Sequence, residues 1–302
     1  MSELILVGGL AARHRDRVRD FCLQTNAIVY AEPLSGLRED PQLDALRLRN
    51  ERMLSRGKFE SVIRIGNIPT LRFWRDLDKS NAEVVHYSDL PFAGLTRGEV
   101  HPIDDLKVQG RQSCLSGQAG LPVLHEDRQK ATQFQQILDS EPQSELAMVR
   151  ALSQQIPASA RIYLGNSLPI REWDLAATRE PKQFTIEANR GANGIDGQLS
   201  TFFGWCRGEN NWCVIGDLTA LYDMNAPWIV PQLDAKFRIV IINNEGGKIF
   251  RRLPLRRLEL IENAHHLRFD SWAKMWNIDV TELRPDADAS RRCWEKYDAL
   301  WS

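Results

Sequence analysis

The feature that most constrains the fold is a pair of apolar runs that each stop at a short polar cluster. Trp212 to Ile215 ends at Gly216-Asp217, and Arg238 to Ile242 ends at Asn243-Asn244. Runs of this length, rich in β-branched residues, are typical of strands buried on both faces of a parallel sheet. The stretch between them, Thr219 to Val230, predicts a crossover helix. The unit is therefore strand, helix, strand.

Both polar clusters fall at the carboxyl ends of these strands, where parallel α/β sheets bind their ligands. Asp217 offers a carboxylate, Asn244 an amide oxygen, and Gly246 a backbone carbonyl that no side chain crowds. Such oxygen donors, completed by phosphate oxygens and water, suit octahedral Mg²⁺ better than Ca²⁺. A helix that opens after Leu218 would direct free N–H groups at the same place, which favours a phosphate. The pattern predicts a Mg²⁺-diphosphate site.

Length and composition limit the possible classes of protein. The 302 residues favour two domains over one, and 43% hydrophobic with 26% charged residues is ordinary globular composition. A net charge of −1 gives no reason to expect nucleic acid or an anionic membrane as a partner, and no apolar run is long enough to span a bilayer. The five cysteines form no CxxC pair, which predicts reduced thiols in a cytoplasmic protein.

Strands that alternate with helices predict two α/β domains, each with a parallel sheet between helical layers. We predict a first domain at 1–110, a polar linker at 111–143 and a second domain at 144–302. Strands are expected at 4–7, 27–31, 61–65, 83–87, 161–164 and 185–187. Helices are expected at 11–23, 41–54, 129–138, 145–155 and 289–301. Gly8-Gly9 lacks the full G-x-G-x-x-G pattern, so a dinucleotide site is not favoured.

A glycine-rich loop, Asn189 to Gly197, precedes the strand-helix-strand unit. Its glycines suit positions where the backbone bends or approaches a ligand closely. Ile195 is a bulky β-branched residue among them. We expect Ile195 to pack against something, either the core or a ligand.

Four segments, NRGANGIDG, GNSLPIR, GDLTALYDMN and NNEGGKIF, together resemble a known family. They are similar to motifs of thiamine diphosphate (ThDP) enzymes, and more narrowly of 2-succinyl-5-enolpyruvyl-6-hydroxy-3-cyclohexene-1-carboxylate (SEPHCHC) synthase (MenD) of menaquinone biosynthesis. The first part of the chain matches more loosely, through GNIPTLRFW. The resemblance implies a Rossmann-like central domain, a ThDP-binding fold, and a transferase that joins decarboxylated 2-oxoglutarate to isochorismate.

The resemblance also implies roles for individual residues. Asp217, Asn244 and the Gly246 carbonyl would hold Mg²⁺ (or Mn²⁺) and the diphosphate. Ile195 would bend the cofactor, and the Gly194 carbonyl would accept a hydrogen bond from its aminopyrimidine. Contacts with ThDP are implied for Gly194, Ile195, Gly216, Leu218, Thr219, Gly247, Ile249 and Phe250. Contacts with substrate are implied for Arg72, Ser167, Arg171 and Arg190.

The chemistry of the substrates that the resemblance implies supports a binding role for these arginines. Both 2-oxoglutarate and isochorismate are dicarboxylates, and the planar guanidinium binds a carboxylate in two-point fashion. Two other hypotheses stay open. Another ThDP carboligase or 2-oxoacid decarboxylase would share the metal motif without needing Ser167, Arg171 and Arg190. A non-catalytic module would bind the cofactor without turnover.

The family's cofactor-activating glutamate lies in a separate pyrimidine-binding domain, to which no residue of this chain can be matched. A doubly wound sheet also usually continues after a helix such as 289–301. We therefore expect an incomplete, C-terminally truncated portion of a larger synthase that is inactive alone and contains no catalytic residue. The complete enzyme is expected to be a homodimer or homotetramer, because the family builds its site between subunits.

Four charged or titratable residues follow the second strand of the strand-helix-strand unit. Glu245 and Lys248 stand where the family more often has neutral polar groups, and are expected to alter affinity or substrate preference without removing a ligand. His265 and His266 have no partner at metal-ligand spacing. The sequence favours solvated helix positions for both histidines.

Overall fold

Apolar runs alternating with helical segments form two parallel sheets in the computed structural model, which describes residues 3–92, 94, 98–107, 116–191, 194–253 and 256–302. The chain divides into two units. The first contains Met1–Gln136, Arg179–Pro181 and Tyr297–Ser302, and the second contains Ile137–Thr178 and Lys182–Lys296. Each unit draws on more than one stretch of chain, whereas the predicted domains 1–110 and 144–302 are continuous.

The first unit is built on a five-stranded sheet in which all neighbouring strands are parallel. Its strands are β1 (Glu3–Val7), β2 (Ile28–Ala31), β3 (Ser61–Ile65), β4 (Glu83–Tyr87) and β5 (Val100–His101). They lie in the order β2-β1-β3-β4-β5. The α-helices are α1 (Arg15–Thr25), α2 (Arg52–Arg56), α3 (Arg72–Asp76) and α4 (Ser116–Ser140), which continues into the second unit.

The four strands predicted for this unit are confirmed, but the helix predicted at 41–54 is wrong. That segment runs instead along the edge of the sheet. The N–H of Val29 in β2 donates to the Leu46 carbonyl at 2.9 Å, and the Leu48 N–H donates back to the Val29 carbonyl at 2.8 Å. This backbone pairing keeps the middle of the segment extended, so that only a 3₁₀ turn at Pro41–Leu43 and the short α2 are helical.

The second unit carries a second five-stranded parallel sheet. Its strands are β6 (Arg161–Leu164), β7 (Thr185–Glu187), β8 (Gly208–Gly216), β9 (Ala235–Ile242) and β10 (Val280–Leu283). They lie in the order β10-β9-β8-β6-β7. The α-helices are α5 (Glu145–Gln155), α6 (Leu168–Ala176), α7 (Gln198–Trp205), α8 (Asp217–Tyr222), α9 (Asp270–Trp276) and α10 (Ala287–Ala299).

The crossover between β8 and β9 differs from the predicted helix at 219–230. Helix α8 begins at Asp217 and ends at Tyr222, and a 3₁₀ helix follows at Ala226–Gln232. Pro227 and Pro231 lie in the second stretch, and a proline has no N–H for an α-helical hydrogen bond. The crossover is therefore two short helical pieces.

The predicted α/β architecture is confirmed, because the described residues form two parallel sheets flanked by helices. The adjacent strands β8 and β9 are fully buried at their carboxyl halves, including Val214, Ile215 and Ile241. Their register pairs Gly216 with Ile242, so both strands end at the same level. Within the described ranges, no helix has the length and apolar character that crossing a bilayer needs.

Candidate metal and diphosphate site

The residues predicted to bind the metal lie at the carboxyl ends of β8 and β9. Asp217 follows the last residue of β8, and Asn244 lies two residues beyond the end of β9. Because Gly216 and Ile242 are register partners, the two loops leave the sheet side by side. The structure thus has Asp217 and Asn244 in neighbouring loops at one edge of the sheet, as the sequence predicts.

The Asp217 carboxylate is buried and held by backbone N–H groups. Its side chain is 3% exposed, Oδ1 accepts from the Leu218 N–H at 2.6 Å, and Oδ2 accepts from the Gly246 N–H at 2.9 Å. The Nε2 atom of His265 lies 3.4 Å from Oδ2. Burial raises the pKa of Asp217, and these hydrogen bonds partly oppose that rise. A cation beside the carboxylate would favour its ionised form.

Asn244 presents an acceptor without a hydrogen bond. Its Nδ2 donates to both carboxyl oxygens of Glu145, at 2.9 and 3.0 Å. Its Oδ1 is buried and has no hydrogen-bond partner among the described residues. Buried polar atoms are almost always satisfied, and an exception calls for a bound water, ion or ligand. Asn244 Oδ1 is therefore the atom that most directly indicates a binding position for a cation or a hydrogen-bond donor.

The loop after β9 takes a conformation that requires glycine at position 246. Gly246 has φ of 129°, and a Cβ atom there would lie 2.7 Å from the Glu262 carbonyl oxygen. The preceding Glu245 has φ of 67°. The Gly246 carbonyl accepts from the Lys248 N–H at 2.9 Å, and a carbonyl oxygen keeps a second lone pair for another partner.

The donor set fits a hard divalent cation. A carboxylate, an amide oxygen and a backbone carbonyl are the ligand types that Mg²⁺ takes, with water and phosphate oxygens completing six positions. In the part of the chain that the structure describes, no group of three or more His, Cys, Asp or Glu side chains could hold a metal ion. A metal at this edge would therefore depend on ligands supplied by a phosphate and by water.

Six of the eight residues predicted to contact ThDP fall into two groups next to these ligands in the chain. Gly216, Leu218 and Thr219 surround Asp217, and Gly247, Ile249 and Phe250 follow Gly246. The predicted free N–H groups after Leu218 need correction. Helix α8 begins at Asp217, one residue before Leu218, and the Leu218 N–H is already bound by the Asp217 carboxylate. Ile249 and Phe250 are half-buried in a 3₁₀ helix, and their cofactor role stays a prediction.

A second polar cluster follows β6. The buried Asn166 donates from Nδ2 to the Gly194 carbonyl at 2.8 Å and accepts from Arg190 Nη1 at 2.7 Å. Arg171 Nη1 donates to the Ser167 carbonyl at 2.5 Å. The structure therefore brings Ser167 and Arg171 into contact and links Arg190 to Gly194 through Asn166.

Two features of this cluster bear on its predicted roles. Ser167 lies at the N-terminus of α6 with φ of 74°, an uncommon conformation for a residue other than glycine, and its side chain makes no capping hydrogen bond. The Gly194 carbonyl accepts from both Asn166 and Gln198 Nε2, the latter at 2.7 Å. An aminopyrimidine donor would compete with these two amides. Ile195 is half-buried, and Ala192 and Asn193 lie outside the described residues.

Arg72 is the one predicted substrate residue that belongs to the first unit. It is the first residue of α3, its side chain is 76% exposed, and its Nε lies 4.0 Å from Asp76 Oδ2. Its substrate role stays a prediction.

Sequence reasoning missed several residues that the structure places at this edge of the sheet. They are Glu145, Asn166, Glu172, Gln198 and His265. The solvated helix position expected for His265 is wrong, because its side chain is 11% exposed, lies outside a helix and faces Asp217. His266 is 88% exposed. Ser144 is a typical N-cap residue and Glu145 a typical first-turn acid, so the sequence predicts a helix start there, but nothing local predicts a contact with Asn244.

The two departures from the family pattern contact each other only through the backbone, where Lys248 Nζ donates to the Glu245 carbonyl at 3.2 Å, and each side chain has another charged partner. Glu245 Oε2 lies 3.1 Å from His266 Nδ1, and this contact lowers the pKa of Glu245. Lys248 forms an ion pair with Glu262. Neither charge therefore replaces a proposed metal ligand.

Comparison with known proteins was made over the whole sequence. No protein-family model matches the chain. The chain is 42% identical to a SEPHCHC synthase of Bdellovibrio bacteriovorus over 99% of its own length and 62% of the relative's. It is 36% identical to a synthase of the same name from Akkermansia muciniphila, over 94% of this chain and 55% of that one. Nearly the whole of this chain is therefore homologous to part of the SEPHCHC synthases, and the family resemblance predicted from its motifs is confirmed.

Proposed function

We propose that this chain supplies the metal- and diphosphate-binding part of a ThDP-dependent SEPHCHC synthase, which joins decarboxylated 2-oxoglutarate to isochorismate. The proteins it matches carry that synthase name. Because the chain spans only 62% of the first of them, the activity of the complete protein is an inference from the relatives. The observation that carries the proposal is the buried Asn244 Oδ1, which has no hydrogen-bond partner among the described residues and lies in the loop next to the buried Asp217.

The proposed metal role assigns a distinct task to each of three oxygens. Asp217 would supply the negative charge that partly neutralises Mg²⁺. Asn244 Oδ1 and the Gly246 carbonyl would supply neutral ligands. The Gly246 N–H bond to Asp217 ties the two loops together, so that the carboxylate and the carbonyl keep a fixed spacing. When bound, ThDP supplies the carbanion chemistry and acts as an electron sink.

The proposed substrate role belongs to the arginines after β6 and β7. Arg190 donates to the buried Asn166 and Arg171 donates to the carbonyl of the next residue, Ser167, and both substrates are dicarboxylates. We assign binding and orientation to these side chains, since a guanidinium holds a carboxylate through two parallel hydrogen bonds. A decarboxylase of neutral 2-oxoacids would have no use for them.

The proposal is tested by titrating the chain with Mn²⁺ in the presence of ThDP, following bound metal by electron paramagnetic resonance. We expect Asp217→Ala to abolish specific binding and Asn244→Ala to weaken it at least tenfold, because each removes one protein oxygen. Asp279→Ala is the matched control, since that aspartate is 69% exposed and pairs with Arg238. Binding that survives Asp217→Ala would contradict the metal site.

A second measurement tests the reaction itself. The chain is combined with the part of the Bdellovibrio relative that it does not span, and consumption of isochorismate is followed with 2-oxoglutarate present. We expect Arg171→Ala and Arg190→Ala to raise KM for 2-oxoglutarate while leaving Mn²⁺ binding intact. Unchanged use of 2-oxoglutarate in both variants would favour another ThDP enzyme.

A further inference from the structure

The amide of Asn244 has to be oriented before it can serve as a metal ligand. An asparagine side chain presents an oxygen on one side and an NH₂ group on the other, and the two are nearly identical in shape. Only a neighbouring donor or acceptor decides which of them faces a given direction. At Asn244 that neighbour is Glu145, whose two oxygens lie 2.9 and 3.0 Å from Nδ2.

Both oxygens of Glu145 accept from Nδ2, and this contact selects one orientation of the amide. With Nδ2 bound to Glu145, Oδ1 faces the opposite way, and Oδ1 is the buried atom that lacks a partner among the described residues. The contact joins residues 99 positions apart in the chain. It is therefore a tertiary contact rather than a consequence of loop conformation.

Glu145 is itself held rigidly. It is 5% exposed, and its backbone N–H donates to Ser290 Oγ at 3.0 Å. It is the first residue of α5, which Ser144 caps through a hydrogen bond to the Ala147 N–H at 3.3 Å. Because the backbone of Glu145 is fixed at a capped helix end, its buried side chain starts from a defined position beside the Asn244 amide.

A second buried carboxyl group lies close to Glu145. Glu172 in α6 is 1% exposed, and burial together with the charge of Glu145 raises the pKa of Glu172 well above its usual range. The neutral form of Glu172 is therefore favoured, and the geometry of the contact with Asn244 has Glu145 as the acceptor.

We propose that Glu145 is a positioning residue that orients the amide of Asn244 so that Oδ1 is presented to the metal. The inference rests on the proposed function, because it requires that Asn244 is a metal ligand. Glu145 does not touch the metal, and acts only through the hydrogen bond to Asn244. Outer-shell partners of this kind typically contribute about 10- to 100-fold to metal affinity.

Reversing the polarity of the hydrogen bond tests the proposal. In Glu145→Gln the side chain can donate as well as accept, so the Asn244 amide is no longer held in one orientation. We expect Mn²⁺ affinity in the presence of ThDP to fall by about 10-fold or more. In Asn244→Asp two carboxylates face each other, and we expect a loss of similar size.

The double variant Glu145→Gln, Asn244→Asp should recover most of the lost affinity. Its Gln amide donates to one Asp oxygen and leaves the other for the metal, and the formal charge of the pair equals that of the native pair. Recovery to within about threefold of the native affinity is expected if orientation alone is responsible. A purely structural role for Glu145 would give additive losses, and that result would overturn the proposal.

Two controls separate failure of this inference from failure of the proposed function. Glu209→Gln removes a charge at the amino end of β8, where the side chain is 77% exposed, and should leave binding unchanged. Asp217→Ala should abolish binding. If Asp217→Ala does so while a folded Glu145→Gln binds Mn²⁺ normally, the metal site stands and the positioning role fails. If Asp217→Ala binds normally, the proposed function fails.

Discussion

Substituting Gly246 by alanine should damage both the stability of the second unit and the proposed metal site. At φ of 129° an alanine is strained, which costs about 1–3 kcal/mol. The new Cβ would lie 2.7 Å from the Glu262 carbonyl oxygen and 3.2 Å from the Ala264 Cα, so backbone atoms have to move apart. That shift disturbs the N–H bond to the Asp217 carboxylate, worth about 1.5–3 kcal/mol when intact.

Together these effects predict a loss of about 3 kcal/mol in the free energy of unfolding, since the hydrogen bond is weakened rather than abolished. Urea unfolding followed by tryptophan fluorescence measures the loss. Gly204→Ala is the matched control, because that glycine lies in α7 with nothing within 4 Å of the added Cβ, and alanine should stabilise the helix by about 0.5–1 kcal/mol. A loss below about 1 kcal/mol for Gly246→Ala would refute the reasoning.

Three further predictions follow from the contacts and burial of single residues, two in the second unit and one in the first. Arg292 and Lys296 lower the pKa of Glu141 to about 2, so its ion pairs should stabilise the fold above the unfolded pKa near 4.5 and lose that effect as pH falls through 2. The urea midpoint of Glu141→Gln should therefore lie below the native midpoint at neutral pH and converge with it in acid. Asn166→Ala should remove the link between Arg190 and the Gly194 carbonyl, which predicts a raised KM for 2-oxoglutarate with unchanged Mn²⁺ affinity. Burial raises the pKa of the Cys22 thiol to about 12, so mass spectrometry after treatment with a thiol reagent should find it modified only under unfolding conditions.

The strands were predictable because burial on both faces leaves a local signal in the sequence. The runs 61–65, 83–87, 161–164 and 185–187 match the observed strands residue for residue. The segment 41–54 has a helical apolar pattern, yet its backbone pairs with the edge of β2. That pairing depends on where β2 lies in the sheet, and no local pattern records it.

The candidate site, like the fold, was predictable only where its residues follow strands. Asp217, Asn244 and Gly246 directly follow strands, so the topology of a parallel sheet is enough to bring them to one edge. Glu145 and His265 reach the same place from α5 and from a loop, and their contacts with Asn244 and Asp217 are tertiary. Sequence spacing therefore predicts which residues end strands, but not which side chains surround them.

The order of the strands accounts for two chemically different clusters at one edge. β8 lies between β9 and β6, so the loops after β9 and β6 are separated by two strand spacings, about 10 Å. On the β9 side Asn244 Oδ1 has no hydrogen-bond partner among the described residues, whereas the β6 side offers the guanidinium groups of Arg171 and Arg190. The first cluster therefore favours a cation and the second favours carboxylates. The proposed function requires this arrangement, with a metal-bound diphosphate at one cluster and a dicarboxylate substrate at the other.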